Sequence, residues 1–380
     1  MAAISAGDPT ATRAPAEEGR DLADAIGNRY LSRRCRFSLG VAQGYQGDLV
    51  GAAAQFGELV AEAQAAHDVL VEVNSLSYQG VVLAFQGDTG AAWAAADAAI
   101  EAGAELGGYY AAQGYAALAS AALAAGDVAT AQDACEAGQQ LSALPQTMAT
   151  WRVLSAQAAL AGGNLIAARR WADDAVTTAW GSYLVVSLTT RAQVEVAQGE
   201  PEQAERDAHD SLARASDFEA YLGISDTLEC LAALATDAGS HREAARLFGA
   251  AHAFRQRRGA VRFKILDAGS EASVAALRDA LGEQDFDSAW AEGAAMSTEE
   301  AIAYAQRGRG ERKRPASGWA SLTPAERDVV RLVSEGLGDK DIATRLFVSP
   351  RTVQAHLTHV YTKLGLTSRV QLAQEAARHA

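Results

Sequence analysis

A glycine followed by a polar residue, with an alanine four positions after that polar residue, recurs six times in the first two thirds of the chain. The clear copies are Gly47-Asp48 with Ala52, Gly87-Asp88 with Ala92, Gly126-Asp127 with Ala131 and Gly163-Asn164 with Ala168. Two weaker ones follow, Gly199-Glu200 with Ala204 and Gly239-Ser240 with Ala244. Successive glycines stand 40, 39, 37, 36 and 40 residues apart. An interval of this size marks stacked helical hairpins, each burying its apolar face only against its neighbours. The chemistry fits. Glycine can take the left-handed conformation that ends one helix, and Asp or Asn then caps the next. The alanine stands where two helices cross too closely for a larger side chain. Phe56 and Phe248 lie four residues beyond it in two copies, and Ala96, Cys135, Ala172 and Ala208 take that place in the others.

Composition matters here because the chain holds 88 Ala in 380 residues, so an alanine at any single offset is cheap. Six matches out of six on six evenly spaced glycines are not. Alanine is also the best helix former, and the fold expected is all-α. The pattern resembles tetratricopeptide repeats, with most of that family's Trp, Tyr and Pro signature positions missing. The resemblance implies a tetratricopeptide-like α-solenoid over 21–290, whose concave side would take a peptide, a protein partner or a small effector. After Arg258 the repeat fades, and helical patterning through Ala272–Leu281 and Phe286–Trp290 is expected to cap the stack. Residues 1–20 are expected to be a disordered N-terminus.

Charge is divided unevenly. The net charge is −14, yet residues 307–380 carry 13 Lys and Arg against 7 Asp and Glu, while residues 1–306 carry 20 against 40. Between Phe37 and Trp151 there is no Lys or Arg and there are 12 acidic residues. Such a surface repels nucleic acid, and the basic charge that nucleic acid requires lies at the other end. Residues 291–319, with Arg307, Arg309, Arg312, Lys313 and Arg314, read as a flexible basic linker. Cys35, Cys135 and Cys230 have no paired spacing and read as ordinary thiols of a reducing compartment. The N-terminus has no apolar core of a signal peptide. No apolar run reaches the ~18 residues of a membrane span. No membrane partner is expected, and the chain is expected to stay in the cytoplasm, at the nucleoid.

The last 60 or so residues have their own punctuation. Thr323-Pro324-Ala325-Glu326 is a capping box with proline at the first helical position. The helix it starts carries Val329, Val330, Leu332 and Val333 and stops at Gly336. A second begins at Asp339-Lys340-Asp341 and turns Ile342, Ala343 and Leu346 inward. Ser349-Pro350 caps a third, running to about Leu364, and a fourth starts near Thr367-Ser368 with Val370, Leu372, Ala373 and Ala376. Along the third helix Val353, Leu357, Val360 and Leu364 share one face at helical spacing. The opposite face shows Arg351, Ala355, Thr358 and Thr362, flanked by Gln354 and His359. It is short and polar, as an α-helix entering a major groove needs to be.

This stretch closely resembles the four-helix DNA-binding domain of the LuxR family over about residues 320–378. The match runs through Thr323 to Arg327, Gly336, Lys340 to Ala343, Leu346 to His356, Lys363 to Leu366, Ser368 and Arg369. The resemblance implies that residues 339–358 form the helix-turn-helix proper within a domain spanning 320–380. Arg351, Gln354, Ala355 and Thr358 would face bases, while Lys340, Thr352, Lys363 and Arg369 would meet the phosphate backbone. The fourth helix, through Val370, Ala373 and Ala376, would support a homodimer on double-stranded DNA. Two departures stand out. Gly338 replaces the usual Ser or Thr cap of the second helix, and Gln354 stands where the family often has Lys. The order of repeats and DNA-binding domain also resembles the C-terminal half of large ATP-binding LuxR regulators. Those regulators carry an ATPase, which is not expected ahead of the repeats in this sequence. The four lysines here, Lys264, Lys313, Lys340 and Lys363, all lack the preceding glycine of a phosphate loop.

The expected function is sequence-specific transcription regulation, with a protein-interaction scaffold bearing a vestigial or merely dimerising DNA-binding domain as the alternative. No nucleophile elbow, zinc-protease motif or catalytic triad is present, so no enzyme activity and no cofactor is expected. His356 and His359 are three apart with no third ligand near in sequence, and no metal is expected.

Overall fold

All six glycine turns close in the same way. In the computed structural model, which describes residues 8–141, 148–311, 318–319, 322, 324–334, 336–346, 350–366 and 368–376, each of these glycines has a positive φ at the end of a helix. The N–H of the following residue reaches back to the carbonyl five residues earlier, as Asp48 does to Gln43, Asp88 to Leu83, Asp127 to Ala122 and Asn164 to Ala159. This Schellman closure satisfies carbonyls that the helix end would leave unpaired. The side chains of Asp48, Asp88, Asp127 and Asn164 then accept the backbone N–H three residues on and cap the next helix. Glu200 and Ser240 make the backbone closure without a side-chain cap. Ala52, Ala92, Ala131, Ala168, Ala204 and Ala244 are all fully buried.

The described residues are helical throughout, with no strand among them. The chain divides into two units, Met1–Arg307 and Gly308–Ala380. In the first unit, α1 is Pro9–Ala25, and the hairpins pair α2 (Arg29–Tyr45) with α3 (Leu49–Ala65) and α4 (Val69–Gln86) with α5 (Thr89–Ala104). They continue with α6 (Gly108–Ala125) and α7 (Val128–Leu141), α8 (Met148–Ala161) and α9 (Leu165–Thr178), and α10 (Ser182–Gln198) and α11 (Pro201–Phe218). The sixth pairs α12 (Ile224–Asp237) with α13 (His241–Arg258), and α14 (Asp267–Leu281), α15 (Glu283–Ala294) and α16 (Thr298–Glu311) follow. None of these helices is long and apolar enough to cross a membrane. The last hairpin and the helices after it share one large core around Leu228, Leu231, Phe248, Leu277 and Phe286. There α13 and α15 cross with backbone almost touching backbone: a Cβ on Gly249 would lie 2.2 Å from the Trp290 carbonyl oxygen.

Two expectations from the sequence are corrected. Residues 1–20 are not wholly disordered, because α1 is capped by Asp8, which accepts the Ala11 N–H, and buries Thr12, Ala16 and Ala23. Its turn into α2 is a further copy of the glycine closure, with Asn28 N–H on the Ala23 carbonyl. Ser32 stands where the other copies have alanine, which hides it from the pattern. The linker expected over 291–319 is helical through Glu311. Ser297 and Glu300 form a reciprocal capping box: Ser297 N–H donates to the Glu300 carboxylate at 2.8 Å and Glu300 N–H to the Ser297 hydroxyl at 3.1 Å. Ala301, Ile302 and Ala305 are buried against the core of the last hairpin. Residues 312–317 lie outside the described residues.

Candidate nucleic-acid interface

Four helices build the second unit: α17 (Pro324–Ser334), α18 (Asp339–Leu346), α19 (Pro350–Leu364) and α20 (Arg369–Ala376). Each contributes an apolar stripe to one small core. Leu322, Val329, Val330, Leu332 and Val333 meet Ile342 and Ala343, then Val353, Leu357 and Val360, then Leu372 and Ala376. The spacing of 353, 357 and 360 puts one side of α19 into that core. The other side is thereby fixed outward. Gln354, Thr358, His359 and Thr362 are exposed.

That outward face is chemically simple. The Thr358 hydroxyl donates to the Gln354 carbonyl at 2.9 Å and the Thr362 hydroxyl to the Thr358 carbonyl at 3.0 Å. Their protons are used inside the helix, and their oxygens remain acceptors on the surface. Gln354 carries both a donor and an acceptor on one planar amide. Lys340 is exposed in the first turn of α18. The side chains of Arg351, Thr352, Ala355 and Val370, and the caps expected at Thr323 and Ser349, lie outside the described residues.

Lys363 and Arg369 are placed differently from the other expected contacts. Lys363 Nζ lies 2.7 Å from Glu326 Oε2, and the Glu326 side chain is nearly fully buried. His359 Nδ1 stands 3.9 Å from the other carboxylate oxygen. Arg369 bonds the Asp339 carboxylate at 2.6 Å and the Leu337 carbonyl at 2.5 Å, tying α20 to the start of α18. Both cations therefore have structural work within the domain. Ala376 is likewise turned into the domain's own core and Ala373 packs against it, and among the described side chains of α20 Gln371 and Gln374 are exposed. Glu326 was legible only as part of a cap, because its pairing spans 37 residues and no local spacing announces it.

Residues 320–376, the same four helices, match the family model of bacterial regulatory proteins, luxR family. The chain carries a luxR-family DNA-binding domain. Over its whole length it is similar to proteins of Mycobacterium bovis and Mycobacterium tuberculosis named as HTH-type transcriptional regulators. Each is 59% identical over 373 residues, which is 98% of this chain and 42% of the relative. The chain thus spans about two fifths of the length of these relatives. The oxygen regulatory protein NreC of Staphylococcus aureus is 46% identical over 57 residues, 15% of this chain and 26% of its own. Against that background the luxR-family domain has a fixed core face and a fixed outer face, and Gln354, Thr358, His359 and Thr362 of α19 belong to the outer one.

Proposed function

We propose that the chain is a sequence-specific transcription regulator in which α19 of the luxR-family domain enters the major groove of double-stranded DNA. The observation that carries this reading is the burial of Val353, Leu357 and Val360, which leaves Gln354 and Thr358 on the exposed side of the same helix. Gln354 is the base reader. Its amide matches the N7 acceptor and N6 donor of adenine. Arg351, Ala355 and Thr358 complete the base-facing set, and Lys340 and Thr352 grip phosphates, which fix position rather than sequence. The regulator binds as a homodimer in the bacterial cytoplasm, and the helical repeats hold an effector or protein partner. Genome-wide mapping of occupied DNA supplies the cognate duplex. Titrating wild type and Gln354→Ala against that duplex and a scrambled one then tests the reading. The variant is expected to lose about 1–3 kcal/mol of discrimination between the two, the worth of a bidentate base contact. Equal loss on both duplexes rejects α19 as the reading helix in this orientation.

A further inference from the structure

The segment that leaves α13 does not run out into solvent. Arg258 to Leu266 is laid along the turns of the first three hairpins, more than 130 residues earlier in the chain. The contacts are evenly paced. A Cβ added at Gly47 would meet Arg258 at 2.5 Å, one at Gly87 would meet the Val261 methyls at 3.0 Å, and one at Gly126 would meet Lys264 Cβ at 3.3 Å. Strap residues 258, 261 and 264 thus step from one glycine turn to the next. Between them the backbone leaves α13 at Arg258, turns through the left-handed Gly259, is extended at Phe263 and closes in a short 3-10 turn at Lys264–Leu266. At Gly163, Gly199 and Gly239 the equivalent positions have open space within 4 Å among the described residues.

The bonds under the strap are those a bound peptide makes. Val261 N–H donates to the Phe85 carbonyl at 2.8 Å, an end-of-helix carbonyl of α4. The Arg258 guanidinium donates to the Gln46 carbonyl just past α2. Phe263 is buried with its ring 4.8 Å from Phe85, while Val261 and Lys264 remain exposed on top. Beside the strap, Tyr221 and Leu222 N–H both donate to the Tyr45 carbonyl, and the Tyr45 and Tyr183 rings stand 5.6 Å apart. The loop between the fifth and sixth hairpins, and Arg258 at the end of the sixth, are therefore fastened to the first.

We propose that the turn edge of hairpins one to three is a peptide-binding groove whose resident ligand is the chain's own strap, residues 258–266. The partner it fits is a segment that leaves a helix end, with a cation there, an apolar residue three positions on and an aromatic two beyond that. Displacement of the strap by such a segment opens the fastening between the first and sixth hairpins. This rests on the reading of the repeats as a partner-binding module, and its test involves no DNA, so the two can fail separately.

The probe is a synthetic peptide of residues 256–267, titrated into the full-length chain and into its Arg258→Ala/Phe263→Ala variant, with a scrambled peptide alongside. Because the tethered strap competes at high effective concentration, wild type should bind the peptide at least tenfold more weakly than the variant. The scrambled peptide should bind neither. Amide exchange at Tyr221, Leu222 and Val261 should accelerate at least tenfold in the variant, with α8 and α9 unchanged. Val261→Pro, which removes the strap's N–H donor, should accelerate Tyr221 and Leu222 in the same way if the double variant does not fold. Equal peptide binding by both chains, binding by neither, or faster exchange spread through every helix would each overturn the proposal.

Discussion

Glu195 is fully buried on α10, and neither carboxylate oxygen has a hydrogen-bond partner. Arg169 and Arg191 approach only to 3.6 and 3.8 Å. Burial therefore dominates and pushes its pKa up to about 7, with Asp207 adding repulsion. A carboxyl raised above its unfolded value holds its proton in the fold while the unfolded chain loses it. Its contribution is full below about 4.5 and is lost as pH rises through about 7. Melting scans at pH 5 and pH 8 should show a smaller fall in Tm for Glu195→Gln than for wild type. An identical fall in both would mean that Glu195 is ionised in the fold. In the luxR-family domain, Lys363→Ala removes the cation 2.7 Å from the buried Glu326 carboxylate and should destabilise the domain by about 1–3 kcal/mol, whatever it does to DNA affinity. Lys340→Ala should weaken cognate and scrambled DNA by the same factor. If Lys363→Ala melts like wild type, its pairing with Glu326 contributes nothing to the fold.

At the scale of the helix, local chemistry was readable wherever it was written in adjacent residues. The glycine closures and the Asp48, Asp88, Asp127 and Asn164 caps all lie within a few residues of one another, so their spacing revealed them. The face of α19 was readable for the same reason, since Val353, Leu357 and Val360 follow helical periodicity. Ser297 and Glu300 also formed a local signal, but the small and charged residues around them read as a linker, and only burial of Ile302 and Ala305 shows what the box starts. The Lys363–Glu326 and Arg369–Asp339 pairs had no such signal, because helices brought together by the core make contacts that no periodicity encodes. Asp88→Ala offers a direct check on the repeat device. It removes one cap, the bond to the Ala91 N–H, and should cost about 1 kcal/mol in denaturant unfolding of the whole chain. Stability equal to wild type would show that the backbone closure at Gly87 suffices without the carboxylate.

Across the whole molecule, charge and fold are partitioned along the same line. The unit ending at Arg307 carries 40 acidic against 21 basic residues, and the basic excess lies in the residues that follow. Arg33 and Arg36 of α2 answer part of the acidic stretch by pairing with Asp68, Glu58 and Glu62. Asp97, Glu101 and Glu105 stay exposed along α5. The repeats have no net positive charge with which to attract a polyanion, so DNA affinity is expected to reside in the second unit. Since that unit has its own core, residues 315–380 should fold as an isolated fragment and bind random duplex DNA. Each phosphate contact releases counterions, so log affinity should fall against log salt with a slope of about −0.9 per contact. A fragment gripping about four phosphates should lose roughly 150-fold in affinity between 50 and 200 mM salt. The intact chain should show the same slope, because the same cations make the contacts, whereas its absolute affinity should be lower through repulsion by the acidic unit. Fluorescence anisotropy of a labelled duplex, titrated with each protein at several salt concentrations, measures both quantities. A folded fragment whose affinity stays flat with salt would remove the phosphate contacts from the reading. A steeper slope for the intact chain would place further DNA-binding cations in the repeats, where the charge distribution provides no excess of them.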